Sequence, residues 1–165
     1  MSIDSDTPLR EIAFEVCTAL ARTGTTAVLS GGGAATLYAP SVIQSYDLDF
    51  IITLFQEGGA PGTALEALGY RLAGHHHEHA ASEFLVEFPP GPLAIGDDLI
   101  TDWDILRDGD RLLHVLSPRD SCRDRLAAHE ADSFPRRLVQ SPPPAFPTPP
   151  GRVVFRRRAG RGALR

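Results

Sequence analysis

Asp47-Leu48-Asp49, set in the apolar run Asp47-Leu48-Asp49-Phe50-Ile51-Ile52, carries the first chemical signal of this 165-residue chain. Side chains alternate across a strand, so Asp47 and Asp49 share one face while Leu48, Phe50 and Ile52 share the other. Two carboxylates projecting together repel unless something positive sits between them. A hard divalent cation such as magnesium suits that place, because it takes oxygen ligands and keeps room for phosphate oxygens. Upstream, Leu29-Ser30-Gly31-Gly32-Gly33 reads as a strand that turns on glycines into a short helix. Backbone N–H groups exposed at a helix start attract anions, phosphate among them. Together these elements predict a magnesium-dependent site for a nucleoside triphosphate.

The elements that must position these residues are legible on either side. Leu9, Ile12, Ala13, Val16 and Leu20 recur at helical spacing, with Asp6 or Thr7 as cap and Pro8 behind it. Gly24 ends that helix as a left-handed glycine. Thr26-Ala27-Val28-Leu29 follows as a buried strand that runs into the glycines, and Pro40 stops a helix over about residues 33–39. Beyond the strand at 47–53, a turn at 58–62 leads to a short helix over 63–68. Tyr70–Ala73 and Glu83–Phe88 read as strands, the second closed by Pro89-Pro90. Two further strands, 103–106 and 111–116, flank the hairpin signal Asp108-Gly109. Ser117, Pro118 and Asp120 form a capping-box variant that opens a last helix running to about His129. The expected fold is α/β (α+β): a mixed, twisted sheet of about four or five strands with helices mainly on one face.

Charge divides the chain. Residues 1–130 hold eight arginines against twenty acids, a balance of −12, whereas residues 131–165 hold eight arginines against one acid, a balance of +7. The acidic body would not attract nucleic acid by bulk electrostatics. Residues 1–130 read as one domain, and 131–165, with half of the prolines, as a disordered basic tail. Out-of-frame reading of GC-rich DNA would give the same composition, and a nucleic-acid-binding arm is a third explanation. No apolar run approaches the roughly 20 residues of a membrane helix, and no secretory signal is visible, so a cytoplasmic location without membrane contact is expected. Cys17 and Cys122 read as free thiols.

Other clusters carry weaker signals. His75-His76-His77-Glu78-His79 looks like a metal-binding tract, but contiguous histidines fit no fixed coordination geometry, and an exposed loop or edge strand explains them better. Asp102-Trp103-Asp104 repeats the acidic pair without a glycine turn upstream. Arg123 and Arg125 are positioned either to touch phosphates or to pair with aspartates along their helix.

The glycine element and the acidic pair, with thirteen residues between Gly33 and Asp47, resemble the nucleotidyltransferase superfamily that includes DNA polymerase β. The likeness is especially to its small bacterial members related to abortive-infection and toxin–antitoxin nucleotidyltransferases, over roughly residues 9–130. Tyr46 stands where relatives often carry arginine. The resemblance implies a polymerase β-like fold and a third carboxylate on a neighbouring strand. Glu87 fits that role, since alternation sets it opposite Phe84, Val86 and Phe88. It also implies that Asp47, Asp49 and Glu87 hold two Mg²⁺ ions ~4 Å apart. Ser30, Gly31, Gly32 and Gly33 would then clamp the triphosphate, and a nucleoside monophosphate would pass to a protein or RNA hydroxyl, including within a toxin–antitoxin pair. The alternative implied is a catalytically decayed relative that acts as a non-enzymatic binding partner.

Overall fold

The computed structural model describes residues 3–55 and 61–133, which belong to one unit, Met1–Phe134. In chain order the elements are α1 (Leu9–Arg22), β1 (Thr25–Ser30), α2 (Gly31–Tyr38), β2 (Asp47–Phe55), α3 (Pro61–Glu66), β3 (Tyr70–Ala73) and β4 (His76–His79). Then come β5 (Ser82–Glu87), β6 (Ala94–Ile95), β7 (Asp98–Leu99), β8 (Asp104–Asp108), β9 (Arg111–Val115) and α4 (Pro118–Ser133). Most of the turn expected at 58–62, and the tail from 134 onward, lie outside the described residues.

Seven strands form one mixed sheet in the order β3-β4-β5-β2-β1-β9-β8, and β6 and β7 pair separately. The fold is α+β, with more strands than the four or five expected. The additional strands are the histidine tract and the two-residue pieces β6 and β7, none of which carries an apolar period. The central pairings are β1 with β2 antiparallel, β2 with β5 parallel and β1 with β9 parallel.

One face of the sheet carries the main core. Leu29, Leu48, Phe50, Val86, Leu113 and Val115 meet Ile12, Phe14, Val16 and Leu20 of α1, Ala34 of α2 and Leu65 of α3. Burial of each large side chain there contributes about 1.5–3 kcal/mol. The opposite face is mostly open, except where Val28, Ile51, Leu93 and Leu116 form a second cluster packed by Ile100 and Trp103. Two-faced alternation in β2 therefore has the predicted result: Leu48 and Phe50 are fully buried, and Asp47 and Asp49 point the other way.

Local details depart from expectation at several points. Pro8 precedes α1 with no side-chain cap, because the Thr7 hydroxyl donates to Asp4 Oδ1 at 2.7 Å in a turn of its own. Gly24 does adopt a left-handed φ of 77° at the end of α1. The strand expected from Trp103 begins at Asp104. The α4 helix opens as foreseen, the Ser117 hydroxyl donating to Asp120 at 2.8 Å and accepting from its N–H at 3.1 Å. It continues to Ser133, past the boundary drawn at 130. Cys17 is buried and Cys122 exposed, and both are free thiols. Burial pushes the Cys17 thiol up to about 11, which keeps it protonated and unreactive at neutral pH.

His75 is exposed in a turn, as expected of a loop, but the rest of the histidine tract is not an edge strand. β4 lies between β3 and β5. His77 is buried against the edge of Phe88 at 5.5 Å, and His79 packs on Tyr70 at 5.2 Å. His77 is thus an interior residue, and His79 is half-buried beside it. His76 and Glu78 take the opposite side and pair at 2.8 Å.

Candidate active site

Strand register brings the acidic residues together. Asp49 pairs with Glu87 across the parallel β2–β5 ladder, and with Ser30 across the antiparallel β1–β2 ladder. His76 pairs with Glu87 from β4. Four residues, His76, Glu87, Asp49 and Ser30, thus stand on one rung of the open face, with neighbouring strands about 4.8 Å apart. Asp47 lies two residues before Asp49 on the same face. Asp47 is exposed, and Asp49 and Glu87 are half-buried.

The electrostatics follow from this grouping. Burial raises the Asp49 carboxyl above the ordinary aspartate value, and the charges of Glu87 and Asp47 raise it further. Arg125 opposes the shift, and Asp124 adds to it. The site therefore holds more negative charge than its one guanidinium balances. An all-oxygen donor set with surplus negative charge fits a hard divalent cation. Among the described residues, however, no three His, Cys, Asp or Glu side chains are grouped so that they could hold a metal ion. The backbone sets the carboxylates on one rung but does not turn them onto one point. Like charges this close repel one another, as the raised Asp49 value reflects.

The glycines let α2 approach this rung. Gly31 has φ 63°, and a Cβ built there would collide with the Asp49 carboxylate. At Gly33 a Cβ would come within 3.0 Å of the Asp47 carbonyl oxygen, and at Gly32 within 2.7 Å of Ser45 Oγ. The helix begins at Gly31, so the glycines form its first turn, where a separate turn was expected. That turn has no side-chain cap and no acidic residue, which leaves its N–H groups open to an anion. Ser30 is buried, and its hydroxyl donates to the Asp49 carbonyl at 3.2 Å. Ser30 therefore braces β2 and is not a free phosphate ligand as it stands.

A cleft of about 340 Å³ opens over Ser30, Gly31 and Asp49, with Asp124 and Arg125 on one wall and Leu93 and Leu116 on another. Glu87 lines an adjoining hollow with His75, and Pro89 and Pro90 border both. Asp47 lines neither. Arg125 is the functional residue that sequence reasoning left among alternatives. The aspartate pairing is present, with a bond to Asp124 Oδ2 at 2.7 Å, and its Nη1 stands 3.9 Å from where a Cβ on Gly32 would lie, beside the glycine turn. The docking of α4 on α2 puts it there, and helical periodicity does not report that contact. Arg123 is taken by Asp120 and Asp98, at 2.8 and 2.6 Å. If the cleft holds the triphosphate of a transfer reaction, replacing Arg125 by glutamine is expected to lower turnover roughly 10- to 100-fold by loss of the positive charge on its wall. The same change should shift the acid limb of the pH–rate profile upward, because Asp49 loses the charge that holds its pKa down. An unmoved limb would place Arg125 outside the site.

The cleft's apolar wall is held by a titratable contact. Trp103, the sole tryptophan of the chain, donates its indole N–H to His114 Nδ1 at 2.7 Å and packs on the cluster of Ile51, Leu93 and Leu116. His114 is held below the usual histidine value by burial and by Arg107. Protonation of Nδ1 removes the acceptor. Because the folded value is lowered, stability from this contact is present above the ordinary value of 6.5 and is lost as pH falls from there through the folded value. Trp103 fluorescence is expected to change over that acidic window in the native protein, and the His114→Phe variant should show no such step.

No helix among the described residues is long and apolar enough to cross a membrane. Comparison with family models, curated proteins and solved structures finds no match to this chain.

Proposed function

We propose that this chain is a magnesium-dependent nucleotidyltransferase with a polymerase β-like core, which moves a nucleoside monophosphate from a triphosphate to a hydroxyl of a protein or RNA. The observation that carries the reading is the rung of Asp49 and Glu87, register partners on adjacent parallel strands, with Asp47 beside them and an uncapped glycine helix start over them. Asp47, Asp49 and Glu87 are the residues that would hold metal. Bound divalent ions would neutralise the triphosphate and lower the pKa of the attacking hydroxyl.

The chain's own groups supply the rest. First-turn amides of α2 and the Arg125 guanidinium orient phosphate oxygens. Glu87, half-buried at the margin of the cleft, is placed to receive the proton of the acceptor hydroxyl. Attack in line forms the bond from acceptor oxygen to α-phosphorus, breaks the bond to the β-phosphate oxygen, and releases pyrophosphate. Leu93, Leu116 and Ile51 limit water on the cleft's far wall.

A second reading, a non-catalytic relative that works as a binding partner in a toxin–antitoxin pair, draws on the lack of a ready three-ligand group among the described residues. Incubation with α-labelled triphosphates, magnesium and candidate tRNA or protein acceptors separates the two. Label transfer that needs Asp47 and Asp49 supports the enzyme, and a folded protein that transfers no label supports the partner.

A further inference from the structure

A second hollow, of about 320 Å³, lies beyond the start of β2 and is lined by Arg10, Thr36, Gln44, Ser45, Tyr46 and Phe84, with Glu83 at its side. Its main feature is an aromatic surface. Tyr46 is 50% exposed, and its ring stacks on Phe84 with centroids 6.0 Å apart and 24° between planes. Phe84 anchors the pair because it packs on the main core, so the platform is fixed from below. Glu83, Gln44 and Arg10 also line this hollow. The Thr36 hydroxyl, buried without a hydrogen-bond partner, sits in the same wall and would gain one from a polar ligand edge after turning toward it.

The hollow is tied to the acidic rung through Ser45. That residue lines the hollow, its hydroxyl donates to the Asp47 carbonyl at 3.2 Å and accepts from the Asp47 N–H at 3.3 Å, and it abuts Gly32. The Tyr46 ring shares the sheet face of Phe84 and Leu48, opposite Asp47, so the hollow meets the acidic rung around the start of β2, through Ser45.

We propose that this hollow binds the nucleobase of a single nucleotide, stacked on Tyr46, with its polar edge read by Glu83 and Gln44. Aromatic faces accept any base, and the polar rim selects among them. An ionised glutamate only accepts hydrogen bonds, whereas an amide can do either. Bases that present an exocyclic amino group, adenine and cytosine, are favoured over uracil, which presents carbonyls. The acidic balance of residues 1–130 argues for a free nucleotide over a nucleic-acid strand. The choice of ligand class rests on the nucleotidyl-transfer reading; the hollow itself does not.

The test is calorimetric titration or ligand-observed NMR of the full-length protein with adenosine, cytidine and uridine, without metal or phosphate. Adenosine and cytidine are expected to bind about tenfold more tightly than uridine, and Tyr46→Ala to weaken adenosine about tenfold. Tyr46→Phe, which keeps the ring, should stay within about twofold of the native protein, and Glu83→Gln should narrow the gap to uridine. Absence of nucleoside binding, or binding that Tyr46→Ala leaves unchanged, overturns the proposal. Parallel transfer assays keep the two readings apart. Tyr46-dependent binding by a protein that transfers nothing supports the hollow and removes the transferase. Transfer with Tyr46-independent nucleoside binding does the reverse.

Discussion

Asp49→Asn is expected to abolish nucleotidyl transfer, by roughly 10³-fold or more, while making the folded chain more stable. The two effects share one cause. Asp49 is half-buried between the charges of Glu87 and Asp47, and its carboxyl is raised above the ordinary value by burial first and those neighbours second. A carboxylate raised on folding destabilises the charged native state. Native stability should therefore increase as pH falls through the raised value and past the ordinary 3.8, below which the folded and unfolded chains are both protonated. The stabilising effect of asparagine is accordingly largest above the folded value and vanishes below 3.8. Thermal melts of both proteins across that range read it directly. A variant less stable than the native chain at neutral pH would show that Asp49 is compensated by contacts other than Arg125.

Gly31→Ala is the second large effect. Its φ of 63° is left-handed, which costs an L-residue about 1–2 kcal/mol, and the new methyl would meet the Asp49 carboxylate. Loss of about 2–3 kcal/mol of stability is expected, with transfer falling at least as far as in Asp49→Asn, because the carboxylate must leave its rung. The neighbouring glycines give an internal ranking. Gly33→Ala meets a backbone carbonyl that cannot swing away, and Gly32→Ala meets a serine hydroxyl that can. Denaturant midpoints should fall in the order Gly31 most, Gly33 next, Gly32 least. Any order in which Gly32 is the most sensitive would contradict the close approach of α2 to β2.

Much of this arrangement was legible because short-range rules fix it. Alternation alone sent Leu48, Phe50 and Val86 to the core and left Asp47, Asp49 and Glu87 on the open face. Gly24, the Asp108-Gly109 hairpin and the Ser117–Asp120 cap are local chemistry, read from a few residues. The misses are tertiary. His77 is buried against Phe88 and His79 packs on Tyr70, so most of a polar-looking tract became a strand inside the sheet. β6 and β7 are two residues each, shorter than any period. Arg125 gains its place over the glycines only when α4 docks on α2, and Ser30 turns its hydroxyl to the β2 backbone because Asp49 is its ladder partner.

Mn²⁺ binding followed by electron paramagnetic resonance, with triphosphate present, reaches the acidic rung without depending on the acceptor. Bound manganese should be lost in Asp47→Asn, Asp49→Asn and Glu87→Gln alike, each variant remaining folded. Binding that survives both Asp49→Asn and Glu87→Gln would mean that strands β2 and β5 do not build a common metal site.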